Sequence, residues 1–406
     1  MGSLPTSGRP TRVGSRPERL NCAAVPLSPE VLALETELLA LRRGLHQHPE
    51  LAFQETRTAA RVASFLDGLP LRTGVGGTGV VAELGQGPRA VLLRVDMDGL
   101  PIQEENETPY ASREPGRMHA CGHDGHTAMG AVATRVLSQR TLPGRVRVLF
   151  QPAEEGEGGA QAVIRAGVMD GVGCALGIHL WNDLPVGTIG VKAGPLMASV
   201  DRLRIVIHGK GGHGAMPQSA CDPIVAAAHV VTALQTIVSR ETAPVQSAVV
   251  TIASIRAGDA FNVIPAEAVL AGTIRTFDRE LRCSMPERVA RIAQGVAGAL
   301  QCRAEVEVRA GNPAVINDTG VAEIARRAAA RVVGEAKVVE PVPTMGGEDM
   351  ALYFERAPGC FVFIGSANAE RGLTQPHHSP RFDFDEAALP IGAEFLVRAA
   401  DCYFEA

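Results

Sequence analysis

The chain has 406 residues, enough for two domains or one large domain with a sizeable buried core, which argues against a small binding module. Its formal net charge is −5, from 39 basic and 44 acidic residues, and no long run of either sign occurs. This balance gives no indication of nucleic acid or an anionic membrane as a partner. A small molecule is therefore the expected partner.

The 8 cysteines are scattered without Cys-x-x-Cys pairs, in a chain too long to need disulfide staples. We therefore expect a reducing, cytoplasmic location. Residues 1–28 are rich in Ser, Arg, Pro and Gly and lack the continuous apolar stretch of a signal peptide, which predicts a disordered N-terminal extension. No later stretch approaches the ~18 uninterrupted apolar residues of a membrane helix.

Helix-like and strand-like segments alternate from Ser28 onward. Residues 29–46 and 57–66 repeat apolar residues at helical spacing. Residues 90–93 and 146–150 have the apolar character of buried strands. This alternation predicts an α/β layer fold.

The pattern changes near Val200, where apolar residues begin to alternate with polar ones as in a strand with one face in a core. The predicted elements then follow the order β-α-β-β-α-β of a ferredoxin-like unit. They are a strand through Leu203, Ile205 and Ile207, a helix over 222–240 with Asp222 as N-cap, strands over 247–255 and 267–277, a helix over 279–300 and a strand over 303–308.

Segments of the α/β type resume after this unit, with a helix-like stretch over 320–333 and an apolar stretch over 360–364. We therefore predict one discontinuous catalytic domain, residues 29–197 and 310–406. An inserted domain of ordinary size would interrupt it at 198–309.

The densest polar cluster runs from His119 to His126, just before a helix predicted to begin near Gly125. Cys121 and His123 can point to one side of an extended loop there, and both are good ligands for divalent transition metals. A helix-entry loop whose polar groups only cap the helix is the alternative.

Two adjacent carboxylates, Glu154 and Glu155, follow the predicted strand over 146–150. Neighbouring side chains diverge there, so one carboxylate can bind a metal while the other faces a substrate. Surface carboxylate pairs are common, but open α/β sheets bind ligands beyond the carboxyl ends of their strands.

Histidines occur at two further places, His179 in an apolar strand and the tandem His377 and His378 in a loop. A lone histidine at either place would more often be structural. Together the segments supply enough N, O and S ligands for two metal ions. These candidates are Cys121, His123, Glu155, His179 and one of the tandem histidines.

Five segments resemble the aminoacylase/carboxypeptidase family of dinuclear metallohydrolases. They are Asp96-Met-Asp-Gly-Leu-Pro, His119-Ala-Cys-Gly-His-Asp-Gly-His, Gln151-Pro-Ala-Glu-Glu-Gly, Gly211-Gly-His-Gly-Ala and Phe261-Asn-Val-Ile-Pro. They are similar to its amidohydrolase branch, which includes N-acyl-amino-acid amidohydrolases, hippurate hydrolases and plant indole-acetyl-amino-acid hydrolases. The similarity runs from about Val31 to the C-terminus. It implies a zinc-peptidase-like α/β catalytic domain with an inserted ferredoxin-like lid and dimerisation domain.

The resemblance also implies roles for individual residues. Two divalent transition-metal ions (zinc, manganese, nickel or cobalt) would be held by Cys121, His123, Glu155, His179 and His378. His378 is chosen over His377 because the family ligand directly precedes residues resembling Ser379-Pro380. The other implied roles are general base for Glu154, oxyanion stabilisation in a neighbouring subunit's active site for His213, and binding of the substrate carboxylate for Asn262 and Arg275.

The chain departs from the wider family at Asp96-Met-Asp98, where many relatives have His-x-Asp with the histidine as a ligand. Cys121 would compensate, and Asp98 would support the ligands from behind. Strand-end capping is the alternative for the two aspartates. His213 could likewise be a turn histidine, and Arg275 an exposed arginine on a lid strand.

These residues and the resemblance predict a metal-dependent amidohydrolase that splits N-acyl amino acids into a carboxylic acid and a free amino acid. The resemblance also implies a homodimer or a higher homo-oligomer formed through the inserted domain. A dipeptidase or carboxypeptidase of the same family is an alternative. Another is a cysteine hydrolase with Cys121 as nucleophile and His123 or His126 as base. A non-catalytic metal-binding or scaffold protein is the third, although the intact Glu154 argues against it.

Overall fold

The computed structural model describes residues 27–156 and 158–406. The predicted disordered extension therefore lies outside the described residues, except for its last two positions. The second of these positions contacts the last helix, since the Ser28 backbone N–H donates to a Glu394 carboxylate oxygen at 3.2 Å.

Helices and strands alternate through the first half of the described chain. The α-helices are α1 (Pro29–Leu32), α2 (Glu35–His46), α3 (Thr56–Phe65), α4 (His123–Ser138), α5 (Gly159–Arg165), α6 (Pro223–Thr236), α7 (Arg279–Ala299), α8 (Thr319–Val333), α9 (Ala351–Phe354) and α10 (Ala388–Glu405). Short 3-10 turns lie at Pro217–Ser219, Glu335–Lys337 and Ala369–Arg371.

The strands form two main sheets and two short ribbons. They are β1 (Leu71–Val75), β2 (Gly79–Leu84), β3 (Ala90–Asp96), β4 (Arg145–Gln151), β5 (Cys174–Pro185), β6 (Ile189–Gly190), β7 (Gly194–Met197), β8 (Asp201–His208), β9 (Gly212–His213), β10 (Ala248–Arg256), β11 (Val263–Ile264), β12 (Glu267–Thr276), β13 (Arg303–Ala310), β14 (Val315–Asn317), β15 (Val338–Val339) and β16 (Gly359–Ala367).

The larger sheet has eight strands in the order β1-β2-β4-β3-β5-β16-β6-β15. Its central strands β4, β3, β5 and β16 are parallel and are buried on both faces, which explains their continuous apolar sequences. In β3, Val91, Leu93 and Val95 join the core cluster that includes α2, α4, α8 and α10. Leu92 faces the opposite side, in the cluster with α5 and α9. The predicted α/β architecture is confirmed.

The smaller sheet has four antiparallel strands in the order β10-β12-β8-β13. Helices α6 and α7 cover one face through a separate apolar cluster that includes Leu203, Ile205, Val230 and Val289. The chain order β8-α6-β10-β12-α7-β13 has the predicted β-α-β-β-α-β succession, with the ribbon β9·β11 added. The predicted boundaries at 197/198 and 309/310 stay a prediction.

Helix α6 begins as the sequence predicted, because the Asp222 side chain accepts from the Ile224 and Val225 backbone N–H groups and Pro223 occupies the first turn. It continues as a π-helical turn to Glu241. By length and composition alone, Pro223–Glu241 could cross a membrane, and 33% of that window is buried. Such a lone helix is weak evidence for a span, because a core helix passes the same test. The buried side of α6 packs on the small sheet.

Two predicted helices differ from their expected bounds. The helical stretch predicted over 29–46 is divided into α1 (Pro29–Leu32) and α2 (Glu35–His46). Helix α4 begins at His123, two residues before Gly125, because Gly122 adopts a left-handed conformation (φ 90°) that turns the chain directly into the helix. Strand β5 continues past His179 to Pro185, since it pairs with β16 along that length. His179 therefore lies within a strand.

A buried ionic network ties α2 to the first turn of α4. The carboxylate of Asp124 lies 2.9 Å from Arg42 Nε and 2.8 Å from His46 Nδ1. The other ring nitrogen of His46 contacts Glu104 at 3.2 Å. Burial alone would lower the pKa of His46, but the charge of Asp124 and the hydrogen bonds to Asp124 and Glu104 raise it to about 9.

We predict that the charge of His46 makes stability depend on pH. Because the folded-state pKa is raised, its contribution is fully present below the unfolded pKa of about 6.5 and is lost as the pH rises through about 9. The lost stability is about 3 kcal/mol. Melting temperatures from pH 6 to pH 10 should fall more steeply in the wild type than in His46→Gln. Parallel curves for the two proteins would contradict this role.

Candidate active site

Four elements meet where the parallel strands of the large sheet end. Strand β3 ends at Asp96, β4 leads to Glu154 and Glu155, and His179 lies on the adjacent strand β5. Helix α4 points its first residue, His123, at the same edge. The topology thus brings residues distant in sequence to one place, as is usual for ligand sites in open α/β sheets.

Cys121, His123 and His179 form a buried group whose potential ligand atoms lie within 4.8 Å of one another. Cys121 Sγ is 3.4 Å from His179 Nε2. The other ring nitrogen of His179, Nδ1, lies 2.5 Å from the Leu180 carbonyl oxygen, so Nδ1 carries the proton and donates it. This leaves the Nε2 lone pair facing the thiol.

Asp98 contacts two of the predicted ligands, His123 and Glu155. One carboxylate oxygen lies 3.2 Å from His123 Nδ1, and the other accepts the Glu155 backbone N–H at 3.0 Å. His123 Nε2 and Glu155 Oε1 are then left buried without hydrogen-bond partners in the described chain. They lie 4.0 Å apart.

The tandem histidines, His377 and His378, make different contacts. His377 Nε2 donates to the Leu180 carbonyl oxygen at 2.9 Å, and its ring stacks on Trp181 with centroids 4.9 Å apart. His378 instead has its Nε2 atom 3.2 Å from Glu155 Oε1, without hydrogen-bond geometry. Its backbone is left-handed (φ 65°), and its N–H donates to the Ala120 carbonyl at 2.8 Å. This arrangement favours His378 over His377 as a ligand.

The residues present fit two divalent cations. Besides the first group, Cys121, Glu155 and His378 offer ligand atoms within 4.8 Å of one another. Buried polar atoms are normally paired, so the two unpartnered atoms of His123 and Glu155 indicate a missing positive partner. Burial also raises the pKa of the Cys121 thiol, so its thiolate needs a cation beside it. Mixed N, S and O donors are typical of transition-metal sites.

Glu154 faces a different environment from its neighbour. Ala153 has a left-handed backbone (φ 55°), held by its N–H donating to Glu55 at 2.8 Å, and this turn directs the two following carboxylates apart. Glu154 is buried near Glu348 and Asp349. Burial and then the charges of those two groups and of Glu155 raise the pKa of Glu154 well above its usual range. Such a carboxylate is suited to accept and hold a proton.

Sequence reasoning missed the buried arginine beneath this site. The guanidinium of Arg94 lies 2.6 Å from Asp96, 2.7 Å from Asp349 and 2.9 Å from Glu348. It also donates to Gln151 at 2.8 Å. A charged residue within an apolar strand was the signal that could have found Arg94. The Glu348-Asp349 pair after two glycines was the signal for its partners.

His126 cannot serve Cys121 as a base in this arrangement. Its Nε2 accepts the Leu180 backbone N–H at 2.8 Å, so its proton is on Nδ1, which is 2.6 Å from Asp96. Both ring nitrogens are therefore occupied. The geometry therefore weighs against His126 as the base of the cysteine-hydrolase alternative.

A cavity of about 720 Å³ opens in front of the site. The predicted ligands Cys121, Glu155, His179 and His378 line it together with Glu154. Its opposite wall carries side chains of the smaller sheet, among them Arg275. The Nη1 atom of Arg275 donates to the Met345 carbonyl at 2.8 Å, and burial lowers the pKa of the guanidinium.

His213 and Asn262 do not line this cavity within their own chain. His213 is exposed on the ribbon, where it pairs with Val263, and the Asn262 carbonyl accepts the Gly214 N–H at 2.8 Å. The expected joint site of Asn262 and Arg275 is therefore not assembled within one chain.

The fold and the site define a hydrolase of the metallopeptidase type, and comparisons with known proteins agree. Residues 92–401 match the family model of peptidase family M20/M25/M40. The N-acetylcysteine deacetylase of Bacillus subtilis (strain 168) is 44% identical over 380 residues, which cover 91% of this chain and 97% of the relative. The IAA-amino acid hydrolase ILR1-like 4 of Arabidopsis thaliana is 38% identical, covering 90% and 85%.

Among solved structures, the chain is similar to the YXEP protein of Bacillus subtilis, a dinuclear metal binding peptidase from the M20 family. The sequence identity is 41% and the TM-score is 0.81, covering 92% of this chain and 99% of that one. The chain belongs to peptidase family M20/M25/M40.

We predict that His377 stabilises metal binding by holding the loop of His378. His377→Phe keeps a ring against Trp181 but loses the N–H donated to Leu180, whereas His377→Ala loses both contacts. Loss of such a supporting contact typically weakens metal affinity about 10-fold or more, and Ala should have the larger effect. Competition with a fluorescent chelator measures the affinity. The exposed Arg381→Gln is the control in the same loop, and an Ala variant with wild-type affinity would refute the role.

Proposed function

We propose that this protein hydrolyses the amide bond of N-acyl amino acids, releasing a carboxylic acid and a free amino acid. The observation that carries the proposal is the divergence of two adjacent carboxylates. Glu155 faces His123 and His378, whereas Glu154 lies in a buried acidic pocket beside them. The relatives named as a deacetylase of an N-acetyl amino acid and as a hydrolase of IAA-amino acids support this substrate class.

Five residues would hold two divalent metal ions, of which zinc, manganese, nickel and cobalt are the candidates. They are Cys121, His123, Glu155, His179 and His378. When bound, the ions would acidify a water molecule and polarise the scissile carbonyl. Asp98 would orient His123 and fix Glu155 through its two contacts.

Glu154 would act as general base and then as general acid. Its carboxylate takes a proton from the attacking water and delivers it to the nitrogen of the amine as the C–N bond breaks, so that the residue returns to its starting state. Arg275 would bind the substrate α-carboxylate from the opposite wall of the cavity.

The domain organisation would place a lid over this site. We propose that residues 198–309 form the inserted lid and dimerisation domain, with 29–197 and 310–406 as the catalytic domain. His213 and Asn262 would then act in the cavity of a neighbouring subunit, where His213 stabilises the oxyanion. The open edge of β10 and the exposed apolar residues around the ribbon, Met216, Phe261 and Val263, support a contact with a second copy.

The location would be cytoplasmic. The seven cysteines within the described part of the chain are all free, in keeping with a reducing compartment. A carboxypeptidase activity is the second candidate, because Thermostable carboxypeptidase 2 of Saccharolobus solfataricus is 37% identical over 377 residues. Membership of a peptidase family and the intact Glu154 give the non-catalytic scaffold no support.

Amino acid release tests the proposed function directly. With divalent metal added, the enzyme should hydrolyse acetyl-, benzoyl- or indole-acetyl-amino acids faster than dipeptides, and a chelator should abolish the activity. Glu154→Gln should fold and bind metal normally but lose about 100-fold or more in turnover, because an amide cannot accept the proton. Glu105→Gln, at an exposed surface ion pair, is the control. Faster dipeptide cleavage would favour the peptidase, and a fully active Glu154→Gln would exclude Glu154 as the base.

Subunit complementation tests the contribution of His213 across a dimer. Glu154→Gln and His213→Ala proteins should each be inactive, but mixed dimers would contain one site with both groups intact. Because half of randomly reassembled dimers are mixed, about a quarter of the wild-type activity should return. No recovery despite proven subunit exchange would mean that His213 acts within its own chain or not at all.

A further inference from the structure

A row of arginines lies on the cavity side of the smaller sheet. Arg202, Arg275 and Arg309 come from the adjacent strands β8, β12 and β13, and all three line the cavity. Arg202 is the direct cross-strand neighbour of Arg309 and of Thr273. Because side chains alternate along a strand, Arg275 shares the face of Thr273, two positions earlier. The helices α6 and α7 cover the opposite face, so this row is directed at the site.

The positive charge of this row is only partly compensated within the described chain. Arg309 pairs with the Glu307 carboxylate at 2.6 Å. No described carboxylate lies within 4.0 Å of the Arg202 or Arg275 guanidinium, whose described polar contacts are to backbone carbonyls. Arg202 Nη2 lies 3.5 Å from the Gly156 oxygen, and Arg275 Nη1 lies 2.8 Å from the Met345 oxygen. A carbonyl is a weaker partner for a guanidinium than a carboxylate is, so an anionic ligand can displace both of these described contacts.

The spacing of the two arginines suggests what that ligand is. Arg202 and Arg275 are diagonal neighbours on antiparallel strands, a relationship that separates Cα atoms by about 7 Å. Two flexible side chains at this spacing can hold two carboxylates joined by a short carbon chain. The Gly156 contact also places Arg202 beside the loop that carries Glu154 and Glu155.

We propose that Arg202, flanked by Arg309, forms a second anion subsite that selects N-acyl amino acids with an acidic side chain, such as N-acyl glutamate. The proposal rests on the proposed function, in which Arg275 holds the α-carboxylate. Arg202 then binds the side-chain carboxylate of the same substrate. A planar guanidinium matches a carboxylate in bidentate fashion, whereas the side-chain amide of glutamine offers no charge to pair with it.

The test measures binding, so that turnover does not enter. In a metal-loaded Glu154→Gln background, calorimetry should show N-acetyl-L-glutamate binding about 10-fold tighter than N-acetyl-L-glutamine, as expected for one charge-assisted contact. Adding Arg202→Gln should reduce this ratio to about 2-fold or less. Arg204→Gln is the matched control, because Arg204 is the next exposed arginine on the same face of β8 but does not line the cavity.

Three results would overturn the subsite. The two ligands could bind equally to the starting protein, Arg202→Gln could weaken both by the same factor, or Arg204→Gln could reduce the ratio as much as Arg202→Gln does. The second result would mean that Arg202 only fastens the lid to the Gly156 loop. The proposed function would survive each of them, because it depends on hydrolysis of N-acyl amino acids by the wild type and not on a preference for acidic side chains. It fails separately if the wild type with metal added hydrolyses none of the acetyl-, benzoyl- and indole-acetyl-amino acids.

Discussion

The buried charge of Arg94 is the constraint on which the acidic half of the site depends. Its guanidinium contacts Asp96, Glu348 and Asp349 at 2.6–2.9 Å, and Glu154 lies beside the same group. Carboxylates crowded into a dry space repel one another and favour neutral forms. A single fully buried cation lets several of them stay together, and removing one partner of such a network typically costs about 3–5 kcal/mol. The acidic pocket around Glu154, the proposed general base, therefore depends on the charge of this arginine.

Hydrogen bonds through the peptide group of Leu180 connect this ion network to His126, His179 and His377. Asp96 fixes the tautomer of His126, which accepts the Leu180 N–H. The carbonyl of Leu180 in turn accepts from His179 and from His377. Strand β5 thus orients one proposed ligand directly, and it orients His378 through the neighbouring residue in the chain. This explains how His179 and His378, which come from distant segments, both lie close to Cys121 without sharing any secondary-structure element.

The sequence could predict those parts of the molecule that depend on local patterns. The apolar runs of β3 and β4, the capped start of α6 and the order of elements in the smaller sheet follow from periodicity and from Asp222 and Pro223. Contacts between distant segments could not be derived that way. Whether Glu155 meets His378, or Arg94 meets Asp349, depends on strand order, and strand order leaves no mark within any one segment. Motif resemblance supplied the ligand set, whereas Arg94 and Arg202, outside the roles it assigned, were missed.

The two walls of the cavity are held in place by different interactions, and this difference affects how the enzyme binds its substrate. The catalytic wall is held by buried ion pairs and by strained backbone at Ala153 and His378, so its groups are fixed before a substrate arrives. The wall formed by the smaller sheet presents arginines whose described contacts are mainly with backbone carbonyls, at Gly156 and Met345. A substrate carboxylate is a stronger partner for a guanidinium than a carbonyl is. Substrate binding would therefore replace contacts between the smaller sheet and the Gly156 and Met345 loops with contacts to the substrate itself, which couples recognition of the acid to the position of the smaller sheet.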